Sequence, residues 1–250
     1  MTEDPVGDRF QRETRYVRGR LPGGGLDFSR RPEPFKQYPD APRTPLAAPK
    51  TGEPPLSALL LRRRSIRRFS SRPLAFSQLS TLLWAAAGIR EIASGHAFRT
   101  APSAGALYPI ETYIAVKNVE GLEAGLYHYF APAHCVERLE AGDFSRAVAA
   151  AALDQRMCLS AACTFLFSAV FFRSKWKYRQ RAYRYIYIDA GHMAQNLALA
   201  AVSLDLGTCA IGAIYDDEAD ALLDLDPESE SVIYMTAAGH PAGSALDGEP

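Results

Sequence analysis

The sequence has no surplus of charge of either sign: 28 Lys and Arg stand against 28 Asp and Glu in 250 residues. Proteins that live on nucleic acid are usually basic overall, so this balance argues against that role. Long apolar runs are missing too. No uncharged stretch reaches the ~20 residues of a membrane-spanning helix. The opening MTEDPVGDRF lacks the basic and apolar regions of a signal peptide, so a cytoplasmic location is expected. Cysteine is scarce. Cys135, Cys158, Cys163 and Cys209 form no CxxC and no Cys/His cluster at metal spacing, so neither a disulfide scaffold nor a metal is expected. They read as reduced, mostly buried thiols. There is no GxGxxG after a strand, no GxxxxGK[ST], no HExxH and no GxSxG. These absences argue against a Rossmann enzyme, a P-loop NTPase, a zincin and an ordinary α/β-hydrolase. The five histidines show no ligand spacing, and His192, in an apolar helical stretch, reads as a core residue.

Proline is plentiful but uneven, with ten of the seventeen lying before Leu56. Proline removes a backbone donor and disfavours helix in the residue before it. Residues 1–55 therefore read as an extended arm, partly disordered, in front of a domain spanning 56–250. Within the domain, Leu79, Leu82, Leu83 and Ala86 repeat at helical spacing, with Ser77 as a plausible N-cap and Gly88 as the stop. Ile110 to Lys117 alternates as a strand, and Leu126 to Phe130 and Cys135 to Leu139 read as further short strands. An alanine-rich helix runs to Leu153. Thr164 to Phe172 is apolar enough to be a strand buried on both faces. A long helix spans about Arg181 to Leu204, followed by strand Thr208 to Ile214, a helix from Asp217 and strand Ser231 to Ala238. Asp216 to Glu230 holds eight carboxylates and reads as a solvated face. Helices and strands mix without strict βαβ alternation, which predicts an α+β fold with one sheet covered by helices.

Four segments have the letters for chemistry. In RRRSIRRFS, Arg63, Ser65 and Arg67 alternate and point to one side if extended. Two guanidinium forks and a hydroxyl suit a phosphate, and a solvated basic turn is the plainer alternative. In RTAPSAGALYP, the small residues Pro102, Ser103, Ala104 and Gly105 would admit a flat ligand close to the backbone, or simply make a tight turn. CAIGAIYDD ends a strand near Ile211, Gly212 and Ala213, where backbone N–H groups could meet a ligand edge; an ordinary strand-to-helix connection is the alternative. RSKWKYRQRAYRY interleaves six cations with four aromatics. That pattern serves nucleic acid by stacking, a solvated helix with a core-facing stripe, or a Lys177–Tyr178 pair poised for proton transfer. For the last, one of the pair must have its pKa lowered to act as a base near neutral pH, and nearby cations have the right sign.

The order and spacing of these segments, with GLYHY between them, the DAGHMAQNLALAA helix and a final GHP, resemble the SagB-type dehydrogenases. These are the azoline dehydrogenase branch of the FMN-dependent nitroreductase superfamily. The resemblance spans about Tyr38 to Pro241 and is carried most specifically by APSAGALYP and the Lys-Tyr pair. It implies a nitroreductase-like α+β homodimer, with a mainly antiparallel central sheet flanked by helices and FMN at the interface. Arg63, Arg64, Ser65 and Arg67 would hold the FMN phosphate. Pro102, Ser103, Ala104 and Gly105 would contact the flavin from the partner subunit, Gln155 would touch the ring, and Ile211, Gly212 and Ala213 would lie near flavin N5. Lys177 and Tyr178 would be the catalytic proton-transfer residues while hydride passes to N5. The implied substrate is a thiazoline or oxazoline peptide, with biosynthetic partner proteins at hand. The chain ends AGSALDGEP, without the basic residues that complete the phosphate site in many nitroreductases. Two alternatives stand beside this: an NAD(P)H-dependent reductase of nitro, quinone or enone compounds, and a non-catalytic RNA-binding or scaffold protein.

Overall fold

The computed structural model describes residues 5–16, 25–49, 54–93 and 96–243. In chain order the elements are α1 (Val6–Glu13), β1 (Arg43–Pro45), α2 (Leu56–Arg62), α3 (Phe76–Ala87), β2 (Ile89–Ala93), β3 (His96–Arg99), β4 (Ile110–Val116), β5 (Gly125–Phe130) and β6 (Cys135–Ala141). There follow α4 (Ser145–Ala151), α5 (Met157–Ser160), β7 (Cys163–Val170), α6 (Phe171–Tyr178), α7 (Ala182–Ser203), β8 (Gly207–Ile211), α8 (Asp216–Leu222) and β9 (Glu230–Gly239). Seven strands make one sheet in the order β1-β6-β5-β4-β7-β9-β8, every neighbouring pair antiparallel. β2 and β3 form a separate hairpin. This is the α+β architecture expected.

Strand alternation sets the two cores. On β4, Ile110, Ile114 and Val116 face one side with α3 and α7, while Tyr113 and Ala115 face the other with α4 and α8. Every residue of β4 is buried, as its central position requires. All four cysteines are free and buried. Among the described residues, no helix is long and apolar enough to cross a membrane.

Several sequence expectations shift. β7 stops at Val170, and the apolar Phe171–Phe172 pair opens α6 instead of extending the strand. Ser77 does not cap its helix: α3 starts at Phe76, with the Ala75 N–H donating to the Gln78 side chain at 2.9 Å. β8 ends at Ile211, short of Ile214. His192 is exposed, because the long helix turns that face outward. Two of the eight carboxylates between Asp216 and Glu230 are buried: Asp220 accepts from the Val232 N–H at 2.7 Å, and Glu230 from Ser168 Oγ at 2.6 Å.

The arm docks on the sheet through a buried charge network. Arg173 of α6 pairs with Glu111 of β4 at 2.5 Å. His128 of β5 lies between Glu111 (3.3 Å) and Glu137 of β6 (2.9 Å). From the arm, the Lys36 and Tyr38 N–H groups donate to Glu111 and Glu137, Lys36 Nζ bonds Glu230 at 2.6 Å, and Arg43 pairs with Glu137 at 2.7 Å. Because both imidazole nitrogens face carboxylates, both must carry hydrogen. Burial alone would lower the His128 pKa, but hydrogen bonds to Glu111 and Glu137 outweigh it and the pKa is raised.

Candidate functional site

The Ser-Ala-Gly loop is built around Ser103. Its hydroxyl donates to the buried Asp189 of α7 at 2.5 Å and accepts from the Tyr108 N–H at 2.9 Å. The chain between them coils tightly, with φ of +66° at Gly105, +53° at Ala106 and +47° at Tyr108. Pro102 and Gly105 are exposed, and Ala104 is partly so. The end of α6 reaches this loop. A Cβ on Gly105 would lie 2.6 Å from Tyr178 Oη and 2.9 Å from Lys177 Nζ. The residue type is therefore dictated twice, by a left-handed backbone and by the side chains pressed against it. The Tyr185 ring sits edge-on to Tyr178 with centroids 4.8 Å apart. Burial, then the Tyr185 phenol and the Asp189 carboxylate, raise the Tyr178 pKa. The nearby cations do not lower it as the sequence suggested, because Arg181 donates to Tyr185 Oη and covers Tyr16 instead.

A second group forms where the chain leaves α2. Arg63 is extended, and the following residues run alongside the β8 edge, with the Ile66 N–H donating to the Thr208 carbonyl at 2.8 Å. Gly207 permits this approach, since a Cβ there would meet Ile66 at 2.6 Å. Arg63 and Ser65 line a cavity of about 100 Å³ together with Gly191 and Gln195 of α7, Ala210 of β8 and Thr236 of β9. The buried Thr236 hydroxyl has no hydrogen-bond partner among the described residues. Arg64 faces a different groove, beside Ile66 and Asp205, and Arg67 is exposed.

The third group joins Gln155 to the end of β8. Gln155 Nε2 lies 3.5 Å from the Ala213 carbonyl. Ile211 is buried, whereas Gly212 and Ala213 are exposed. Leu153 and Asp154, just before Gln155, are both left-handed. Five of the eight non-glycine residues with positive φ among those described (Ala106, Tyr108, Leu153, Asp154 and Arg179) flank candidate residues. Each such conformation costs of order 1–3 kcal/mol, and this strain tends to collect at functional sites. Sequence reasoning missed Asp189, Tyr185 and the strained pairs, for a lone acid in an apolar helix carries no signature. The Ser103 hydroxyl five residues before a tyrosine offers no hint of it either.

The basic-aromatic segment is largely occupied by the chain's own arm. Trp176 Nε1 donates to the Asp27 carbonyl at 2.8 Å. Arg181 donates to the Thr14 carbonyl at 2.7 Å, and Arg184 to Thr14 Oγ1 and the Gln11 carbonyl. These side chains are therefore engaged internally, not displayed as a stacking surface for nucleic acid.

The groups lie on opposed faces of α7. Asp189, holding the Ser-Ala-Gly loop, and Gly191, lining the Arg63 cavity, are two residues apart and so ~200° apart around a helix of 3.6 residues per turn. The donor set of the Arg63 cavity fits a phosphorylated flat cofactor such as FMN. A guanidinium, a serine hydroxyl and an unpartnered threonine hydroxyl supply polar contacts, and glycine and alanine leave room for close approach.

Residues 60–240 match the Nitroreductase family, and the chain belongs to that family. It is 38% identical over 175 residues to MJ1384 of Methanocaldococcus jannaschii, named as a nitroreductase, covering 70% of this chain and 87% of that protein. It is 32% identical over 143 residues to the trifolitoxin-processing protein TfxB of Rhizobium leguminosarum bv. trifolii, covering 55% of this chain but only 38% of TfxB. Among solved structures, one described as a nitroreductase from Anabaena variabilis superposes with a TM-score of 0.77 at 30% identity, over 96% of this chain and 49% of that one. The fold is shared with the E. coli microcin synthetase McbBCD complex with truncated pro-MccB17 bound (TM-score 0.62, 19% identity, 97% and 84% covered). It is also shared with a Desulfovibrio desulfuricans nitroreductase in complex with FMN (TM-score 0.53, 22% identity, 80% and 92% covered). The chain is thus a nitroreductase-family oxidoreductase with the fold expected from its sequence.

Proposed function

We propose that this chain is an FMN-dependent dehydrogenase of the SagB-type branch, oxidising thiazoline or oxazoline rings in a peptide to azoles. The observation that carries this reading is the convergence of Lys177 Nζ and Tyr178 Oη on Gly105. A solved relative in fold holds FMN, another is bound to truncated pro-MccB17, and TfxB is named for processing trifolitoxin. The working unit is a homodimer. Lys177, Tyr178 and residues 102–105 of one protomer would face Arg63, Ser65, Arg67, Gln155 and residues 211–213 of the other, Arg64 standing at the margin. The opposed faces of α7 favour this arrangement, because one chain alone keeps the two groups apart.

Aromatising an azoline removes two electrons and two protons. FMN, when bound, supplies the two-electron acceptor. The chain's own residues hold and move the remaining proton. Tyr178, kept as a phenol by its raised pKa, donates a hydrogen bond and fixes the ring. Lys177 Nζ, beside it on Gly105, is the proton-transfer partner for the ring. Asp189 keeps the loop in place through Ser103, so that Gly105 presents its bare backbone to the ring. Positioned acid–base groups of this kind are worth ~10²–10⁴-fold in rate.

Purified, FMN-loaded protein incubated with a thiazoline peptide and no NAD(P)H is expected to yield a product lighter by two hydrogens per ring. Turnover of nitro or quinone compounds that requires NAD(P)H, with no azole formed, would overturn the reading.

A further inference from the structure

A cavity of about 510 Å³ opens between the N-terminal arm and α6. That volume falls in the ~300–1,000 Å³ typical of ligand pockets. Lys177 and Tyr178 form part of one wall, and Tyr16, Asp27 and Arg30 of the arm form another. The cavity therefore begins at the two side chains that meet on Gly105 and extends away from them beneath the arm.

Among the described residues the chemistry of its lining is one-sided. Arg30, Lys175 and Arg179 supply three cations, with Lys177 at the end nearest Gly105. The opposing carboxylate is Asp27, which already accepts from the Ser29 N–H at 3.0 Å and the Ser29 hydroxyl at 2.6 Å. Aromatic faces alternate with the cations: Arg30 lies 5.8 Å from the Phe172 ring centre, and Trp176 is fixed by its bond to the Asp27 carbonyl and by the Phe28 ring edge at 5.7 Å. A cationic cleft with apolar walls selects for negative charge and rejects positive charge.

We propose that this cavity is a subsite for acidic residues flanking the reacting ring of a peptide substrate. The assignment rests on the dehydrogenase reading for the ring itself. The arm is then part of the substrate site: it borders the cavity through Tyr16, Asp27 and Arg30, and is held to α6 and α7 by Trp176, Arg181 and Arg184.

Two fluorescent thiazoline peptides that differ only in their flanks, Asp-Glu in one and Lys-Lys in the other, test this by anisotropy titration of the FMN-loaded dimer. The acidic peptide is expected to bind at least ~10-fold more tightly. The gap should close as salt rises from about 0.01 M to about 1 M, where the screening length falls from ~30 Å to ~3 Å. The double variant Arg30→Gln/Lys175→Gln is expected to lose the preference while its flavin absorbance is unchanged. Equal affinity for the two peptides, no binding of the acidic one, or a preference indifferent to both salt and variant overturns the proposal. Acid-selective binding without azole formation keeps the subsite and overturns the dehydrogenase reading; azole formation without selectivity does the reverse.

Discussion

Gly105 has φ +66°, and a methyl group added there would press against Tyr178 Oη at 2.6 Å and Lys177 Nζ at 2.9 Å. Gly105→Ala should therefore cost about 1 kcal/mol or more in backbone strain and displace both side chains. The expected outcome is a modest fall in Tm with a large fall in kcat; a variant as fast as wild type would show that the contact is incidental. Lys177→Ala and Tyr178→Phe should each lower azole formation ~10²–10⁴-fold, with the bound-flavin absorbance unchanged. Tyr178 is easier to interpret than its neighbour. Burial and two nearby oxygens raise its pKa, so its neutral hydroxyl persists past the ordinary tyrosine range and loss of that group does not set the alkaline limit of turnover. The pair itself was legible as KY within a basic-aromatic run. Asp189, which anchors the loop beneath it, was not, because nothing in DAGH distinguishes a loop anchor from a solvated acid.

At the scale of elements, α6 links the site to the arm. Arg173 lies one turn before Lys177 and is buried against Glu111, whose pKa is lowered to about 2 because Arg173 and His128 outweigh the cost of burying the carboxylate. Arg173→Ala leaves Glu111 without its main partner and should cost ~3–5 kcal/mol, as broken buried pairs do. The pH dependence has two limbs. Glu111, lowered in the folded state, stabilises above its ordinary carboxylate range, and that contribution disappears as pH falls toward 2. His128, raised in the folded state, contributes fully below its unfolded value of ~6.5, and the contribution disappears as pH rises through the raised value. Tm should therefore be greatest between about pH 5 and about pH 6.5. His128→Gln should remove the alkaline limb and weaken the acid one, which Arg173 still supports; an unaltered alkaline limb would place its origin elsewhere. Helix α6 escaped the sequence reading for a physical reason. Phe171 and Phe172 continue the apolar composition of β7, and a buried arginine breaks the apolar periodicity by which a packed helix is recognised. By contrast β4 and α7 were nearly right to the residue, since β4 is buried on both faces and α7 carries an uninterrupted helical stripe.

For the whole molecule, family membership and the antiparallel sheet were readable from the order of short segments that are each weak alone. What stayed hidden was distance: sequence order does not tell that Arg63 and Ser65 share a cavity with Thr236 while Arg64 lines a separate groove. Arg63→Ala should weaken FMN binding in a flavin titration, and Arg64→Ala should do so much less; equal losses would count against the alternation.

The two faces of α7 have a consequence for genetics. If each active site takes Lys177 from one protomer and Arg63 from the other, a dimer of Lys177→Ala chains has two dead sites, and so does a dimer of Arg63→Glu chains. A mixed dimer gathers both lesions into one site and leaves the second intact. Two inactive alleles expressed together should then rescue each other to a fraction of wild-type activity, whereas both lesions on one allele, paired with itself, should not.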